Sequence, residues 1–251
     1  MRRLLGILYK EFLATIKSPK RILSIFNRNR LYAYFVEWKI TLRESWNHYG
    51  TNQLFKKREY RTYKDYIAHQ KAKLERIGPG FLPADYDVRY REVLRERLGK
   101  LNLLRHGTTV LCLAARIGTE VKSFLDIGCF AVGIDLNPGK NNRYVVYGDF
   151  HDIQFTSNSV DVIFTNSLDH VFDIEKLINE IKRILKPNGL LILEVARGND
   201  EGGRFSFYES FSWTKIDNIL TLFKNSQFRL INRLVFDYPW NGEQLCLEKE
   251  K

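Results

Sequence analysis

The chain has 251 residues, 44% hydrophobic and 14% aromatic, enough to bury one large core or two modest ones, which excludes a disordered chain. Its three cysteines, Cys112, Cys129 and Cys246, are an odd number without CxxC or Cys/His ligand spacing and lie in or beside apolar runs; this excludes a disulfide framework and a structural zinc, and suits reduced thiols in a cytoplasmic protein. The net charge of +11 is uneven: residues 1–64 hold 15 Lys/Arg and 4 Asp/Glu, residues 65–100 hold 8 and 6, and residues 101–251 hold 17 and 19.

The N-terminal run MRRLLGILYKEFL begins with the positive charges of a signal peptide, but Lys10 and Glu11 interrupt it before the length of a signal or spanning helix. No transmembrane segment is expected. Leu5, Leu8, Tyr9, Phe12 and Ile16 lie within an arc of roughly 100° on a helical wheel, opposite Arg3, Lys10 and Lys17. After a break at Ser18-Pro19, Leu31, Phe35, Trp38, Leu42 and Trp46 recur at i, i+4, i+7, i+11 and i+15, a second helical stripe. Further breaks fall at His48-Tyr49-Gly50 and Gly78-Pro79-Gly80, after which Asp85 or Asp87 can cap a helix reaching about Leu98. The first hundred residues show no alternating strand. They divide into a basic amphipathic helical extension over 1–58 and a helical lid or cap over 59–104, where Tyr60, Tyr63, Tyr66, His69 and Gln70 either face an acceptor or pack as ordinary helix.

From Thr108 short apolar, β-branched runs alternate with amphipathic helices, the pattern of a doubly wound α/β sheet. Strands are predicted at 109–114, 130–135, 143–147, 160–165 and 189–195. Ile174, Leu177, Ile178, Ile181 and Leu185 mark the helix before the fifth, with Asn188-Gly189 as its turn, and Ile216, Ile219, Leu220 and Phe223 mark another at 213–224. The runs FRLINRLVF and EQLCLE, joined through Asn241-Gly242, predict an antiparallel last strand.

The first strand, VLCLA, leads into a turn closed by Gly118; the second ends in Asp135 and the third in Asp149. Polar groups delivered at the carboxyl edge of one parallel sheet describe a nucleoside-binding crevice. FLDIGCF at 124–130 mimics a glycine-rich nucleotide loop, but Gly128 precedes Asp135 by only seven residues, too few for a helix and a strand, whereas Gly118 precedes it by seventeen. Gly128 is therefore expected to end a helix.

In this register residues 105–251 resemble a class I S-adenosylmethionine-dependent methyltransferase. The matching pieces are VLCLAARIG, GIDLNPG, YGDF, VDVIFTNSLDH and RILKPNGLLILEV, of which RILKPNG before a strand is the most specific. The resemblance implies a mostly parallel, seven-stranded Rossmann-like sheet with an antiparallel last strand, preceded here by a helical extension. It implies S-adenosylmethionine as cofactor, with Asp135 on the ribose hydroxyls and Asp149 with the backbone of Phe150 on the adenine edge, while Ala114, Gly118, Leu136 and Asn166 line the site. The family's first motif has an acid where Cys112 stands and glycines at Ala114 and Arg116; only Gly118 is kept. Either the loop has lost its ligand, or Arg116 meets the methionine carboxylate and Glu120 its amino group. A plain Arg116 to Glu120 surface ion pair is the structural alternative.

Methyl transfer from a sulfonium needs positioning and desolvation, with no metal or covalent residue. Asp169 and His170, at the exit of the fourth strand, are the candidates for a base on an acceptor hydroxyl; a helix cap or packing role is the alternative for His170, and His151 presents the same choice. Glu194 and Arg197 are either acceptor-side groups or an ion pair. NSLD after the fourth strand, in place of an NPPY-type motif, speaks against a DNA adenine enzyme. The expected activity is O-methylation of a small molecule, sugar or lipid-linked glycan; an RNA methyltransferase and a catalytically silent binding protein are the alternatives. The charge of residues 1–64 suits an anionic membrane surface on the cytoplasmic side, with nucleic-acid phosphates ranked behind it.

Overall fold

The computed structural model describes residues 28–50, 53–77 and 85–250, so the predicted helix bearing Leu5 to Ile16 and the breaks at Ser18-Pro19 and Gly78-Pro79-Gly80 lie outside the described residues. The chain forms two compact units, one from residues 1–47 and 58–82 and the other from residues 48–57 and 83–251.

In the first unit, helix α1 (Arg28–Leu42) packs against helix α2 (Tyr63–Ile77), and Lys39 reaches Asp65 at 2.6 Å. Ala33, Val36 and Ile40 are the buried apolar side of α1, whereas Leu31, Phe35, Trp38 and Leu42 are exposed. The predicted stripe is real but faces away from the core. Periodicity finds an apolar face and cannot say which of two such faces is covered. In α2, Tyr66 and His69 are buried, with Tyr66 against the rings of Tyr60 and Tyr63 and His69 Nδ1 2.9 Å from the Tyr60 hydroxyl, so these two residues take the packing role.

Among the described residues of the first hundred there are also two strands, β1 (Trp46–Tyr49) and β2 (Phe55–Arg58), contrary to the all-helical expectation. WNHY and FKKR are too short and too polar to display a period, and Trp46 belongs to β1 and not to the helical stripe. Gly50, at φ +78°, begins the turn in a conformation that L side chains rarely adopt. Arg58 is buried under the Trp46 indole at 4.6 Å and beside Glu44 at 3.2 Å. Residues 48–57 belong to the second unit, where β2 pairs antiparallel with β8 (Phe211–Trp213).

The rest of the second unit follows the predicted alternation: α3 (Tyr86–Leu101), β3 (Thr109–Leu113), α4 (Thr119–Asp126), β4 (Phe130–Asp135), β5 (Val145–Tyr147), β6 (Val160–Thr165), α5 (Ile174–Ile184), β7 (Leu185–Ala196), α6 (Ile216–Lys224), β9 (Phe228–Phe236) and β10 (Gly242–Lys249). Seven strands lie in the order β5-β4-β3-β6-β7-β10-β9. The first five pair in parallel, and β10 runs antiparallel to both β7 and β9, as expected of the last strand. Alternation along β3 sends Leu111 and Leu113 to the α5 and α6 side and Val110 and Cys112 to the α3 and α4 side, so the sheet separates two apolar layers.

Helix α4 ends as the spacing requires: Gly128, at φ +82°, donates to the Leu125 carbonyl at 3.0 Å, and Cys129 donates to that of Phe124 at 3.1 Å. FLDIGCF is thus a helix end. Asp85 precedes α3 without a side-chain cap bond, and Asp87 instead accepts from the Thr119 hydroxyl at 2.6 Å, joining α3 to the first turn of α4.

Candidate active site

Strand order reverses between β3 and β6, and their carboxyl ends, with those of β4 and β5, share one sheet edge. The loop leaving β3 has three alternate residues in the left-handed region: Ala114 at φ +53°, Arg116 at φ +33° and Gly118 at φ +78°. These are the three positions at which the family resemblance expects glycine. An L side chain there costs about 1–2 kcal/mol, so the backbone path survives where two of its glycines do not. At Gly118 a Cβ would sit 2.8 Å from the Tyr144 Cβ, and only glycine fits.

Hydrogen bonds hold this loop to the neighbouring strand end. The Ala115 amide donates to the Ile134 carbonyl at 3.1 Å, the Arg116 amide to Asp135 Oδ2 at 3.0 Å and the Asn137 amide to Asp135 Oδ1 at 2.6 Å. The Asn142 side-chain amide donates to the Arg116 carbonyl at 2.8 Å. Gly148, just before Asp149, donates to the Asp135 carbonyl at 3.1 Å. Gly118, Asp135 and Asp149 are therefore tied into one edge, with Leu136 half-buried beside Asp135.

Asp149 Oδ1 accepts from the His151 amide at 2.8 Å and lies 3.0 Å from His151 Nδ1, while His151 Nε2 accepts from the amides of Phe172 and Asp173 at 3.2 and 3.1 Å. Two amides aimed at Nε2 place the imidazole proton on Nδ1. His151 is a buried clamp between the segments following β5 and β6, and the Phe150 ring lies 4.6 Å from its own.

Beyond β6, Asn166 Nδ2 donates to Glu120 Oε1 at 2.8 Å and to the Tyr90 hydroxyl at 3.0 Å. Tyr90 donates to Glu194 Oε2 at 2.7 Å, and Glu194 Oε1 accepts from Arg97 Nε at 2.8 Å and Gln244 Nε2 at 3.0 Å. This buried polar chain runs from the start of α4 to the middle of the sheet. Burial pushes the Glu120 carboxyl up to about 7; the Glu194 charge adds to this, and the Asn166 bond and Arg116 only partly offset it. Glu120 thus takes its hydrogen bond from Asn166 and is no surface ion-pair member. Glu194 is paired, but with Arg97 and not with Arg197, which is exposed.

Asp169 and His170 occupy a short 3-10 turn, Leu168–His170, that leaves β6. His170 Nδ1 lies 3.2 Å from the Tyr208 carbonyl, and its Nε2 is 3.8 Å from Asp169 Oδ2. Nearby, Tyr49 donates to Glu175 at 2.6 Å and Lys57 lies 4.8 Å from the Phe172 ring centre. In the sequence, Glu194 is marked by a charge inside the apolar run LLILEVA, whereas Tyr90, which joins it to Asn166, shows only as a residue on the Leu94/Leu98 side of α3.

Residues 111–193 match the family model described as a methyltransferase domain. A search of curated protein sequences returns no significant match. Among solved structures, the chain is similar to a 1,6-didemethyltoxoflavin-N1-methyltransferase from Burkholderia thailandensis, bound to 1,6-didemethyltoxoflavin and S-adenosylhomocysteine, at 14% identity and TM-score 0.59 over 81% of this chain and 99% of that one. It is also similar to a SAM-dependent methyltransferase from Aquifex aeolicus at 16% identity and TM-score 0.51, covering 61% and 88% of the two chains. Sheet order, reversed last strand and the matched motifs together define a class I methyltransferase fold. The match over residues 111–193 and the fold support an S-adenosylmethionine-dependent methyltransferase with S-adenosylmethionine as its cofactor. No described helix is long and apolar enough to cross a membrane.

Proposed function

We propose that the protein is an S-adenosylmethionine-dependent methyltransferase acting on an oxygen of a small molecule, sugar or lipid-linked glycan, and that residues 1–64 hold it at an anionic membrane surface on the cytoplasmic side. The cofactor supplies an electrophilic methyl group on a cationic sulfur, and the residues at the edge of the sheet fit it. Asp135, oriented by the amides of Arg116 and Asn137, takes the ribose hydroxyls; this joint between loop and strand end carries the reading. Asp149 and the backbone of Phe150 take the adenine edge. Ala114, Gly118 and Leu136 line the floor, Arg116 takes the methionine carboxylate, and buried Glu120, steadied by Asn166, takes the amino group.

On the acceptor side His170 is the base. The Tyr208 carbonyl can only accept, so a neutral His170 carries its proton on Nδ1 and its lone pair on Nε2. Nε2 would take the proton of the acceptor hydroxyl, and the Asp169 carboxylate 3.8 Å away would stabilise the imidazolium.

Calorimetry with S-adenosylhomocysteine tests the site: the full chain is expected to bind, and Asp135→Ala to lose about tenfold or more, the cost of a charge-assisted hydrogen bond. A folded protein that gives no heat is the silent binding protein. With radiolabelled S-adenosylmethionine and cell extract, label is expected in the lipid or small-molecule fraction and to fall on His170→Gln; label in RNA would overturn the acceptor assignment.

A further inference from the structure

Helix α1 has two apolar sides, and one of them faces water. At about 100° per residue, Leu31, Phe35, Trp38 and Leu42 fall within an arc of about 60°, opposite Ala33, Val36 and Ile40, which are buried. The four are 48, 58, 46 and 59% exposed, and Tyr32 beside them is 50% exposed. Single exposed apolar residues are ordinary; four in register along one helix, with Tyr32 beside them, form a patch. Its polar surroundings are basic: Arg28 and Arg43 are exposed, and the helix's one acid, Glu37, is 4% exposed on the other side. The Phe35 and Trp38 rings lie 6.0 Å apart, an aromatic pair at the middle of the stripe.

We propose that this face of α1 seats the protein on an anionic membrane, with Leu31, Phe35, Trp38 and Leu42 entering the level between headgroups and acyl chains and Arg28 and Arg43 contacting lipid phosphates. This rests on the proposed membrane role of residues 1–64 and adds which side chains insert. Trp and Tyr favour the membrane interface, and basic residues along an inserted apolar face gain from anionic lipid. A second copy fits less well. A 15-residue helix is about 22 Å long, so a stripe about 10 Å wide offers about 220 Å², well short of the about 800 Å² per partner of a stable interface, and pairing would oppose like charges.

The test is co-sedimentation of the full chain with vesicles of phosphatidylcholine alone or with about one third phosphatidylserine, with brominated lipid as a quencher of Trp38. The wild type should bind the anionic vesicles and be quenched, and Phe35→Ser with Trp38→Ser should bind about tenfold more weakly or worse, while still binding S-adenosylhomocysteine. Should that pair misfold, Leu31→Ser with Leu42→Ser carries the same expectation. Undiminished binding by a folded pair would overturn the assignment of the face and leave membrane association standing. Failure of the wild type to bind any vesicle would overturn both, as would RNA binding that displaces the vesicles. A concentration-dependent dimer abolished by the substitutions would assign the face to a second copy.

Discussion

Glu120 is a carboxyl held in the protonated form to about pH 7 by burial, against an ordinary value of 4.5. The folded state keeps a proton between those values that the unfolded chain has released. Its contribution to stability is therefore fully present below about pH 4.5 and is lost as pH rises through about 7, up to about 3 kcal/mol in all. Glu120→Gln should flatten that stretch of the stability curve in urea titrations. If Glu120 meets the cofactor's ammonium, binding must also expel the proton: S-adenosylhomocysteine should bind more tightly as pH rises from 6 to 8, with proton release seen in buffers of different ionisation enthalpy. Glu120→Gln should abolish the release. Release that persists in the variant would place the titrating group elsewhere. None of this shift is visible in the sequence, where TEVKSFL gives the helix and its acid but not that Asn166 and the Tyr90 to Glu194 chain bury it.

At the scale of elements, what the sequence shows and what it hides divide by period. Strands β3, β4, β6 and β10 are legible because each is a run of apolar or β-branched residues bounded by turn residues, and α5 because its apolar positions repeat over three turns. The hairpin β1–β2 is not, since four-residue strands such as FKKR leave no pattern. Asp135 and Asp149 are legible as strand-end acids, but His151 as a clamp is not, because its partners Phe172 and Asp173 are twenty-one and twenty-two residues on. The same holds for Arg97 on α3, which meets Glu194 on β7 with both side chains nearly fully buried. Removing Arg97 strands a carboxylate in the core. Arg97→Ala should destabilise the protein by about 3–5 kcal/mol in denaturant unfolding, whereas Arg91→Ala, whose pair with Asp126 is part-exposed, should cost under about 1 kcal/mol. Equal effects would mean that burial does not govern these two pairs.

For the whole molecule, charge and chemistry are segregated along the chain. The basic excess lies in residues 1–64, and the cofactor-side candidates Ala114 to Asn166 all lie in the second unit, within a segment where acids slightly outnumber bases. The exposed face of α1 lies in the first unit. Two ligands acting on different units should leave separate footprints in amide hydrogen exchange. S-adenosylhomocysteine is expected to slow exchange at residues 114–120, 135–137 and 148–151, where the loop, the Asp135 carboxylate and the Asp149 turn are joined, and not across residues 28–42. At about 100 times its dissociation constant it should add about 2.7 kcal/mol of stability, a rise in Tm of several degrees. Anionic vesicles are expected to do the reverse, slowing residues 28–42 while the loop after β3 exchanges as before. Protection of α1 by the nucleoside alone, or of residues 114–120 by vesicles alone, would show that the two units respond as one body and that the sites are coupled.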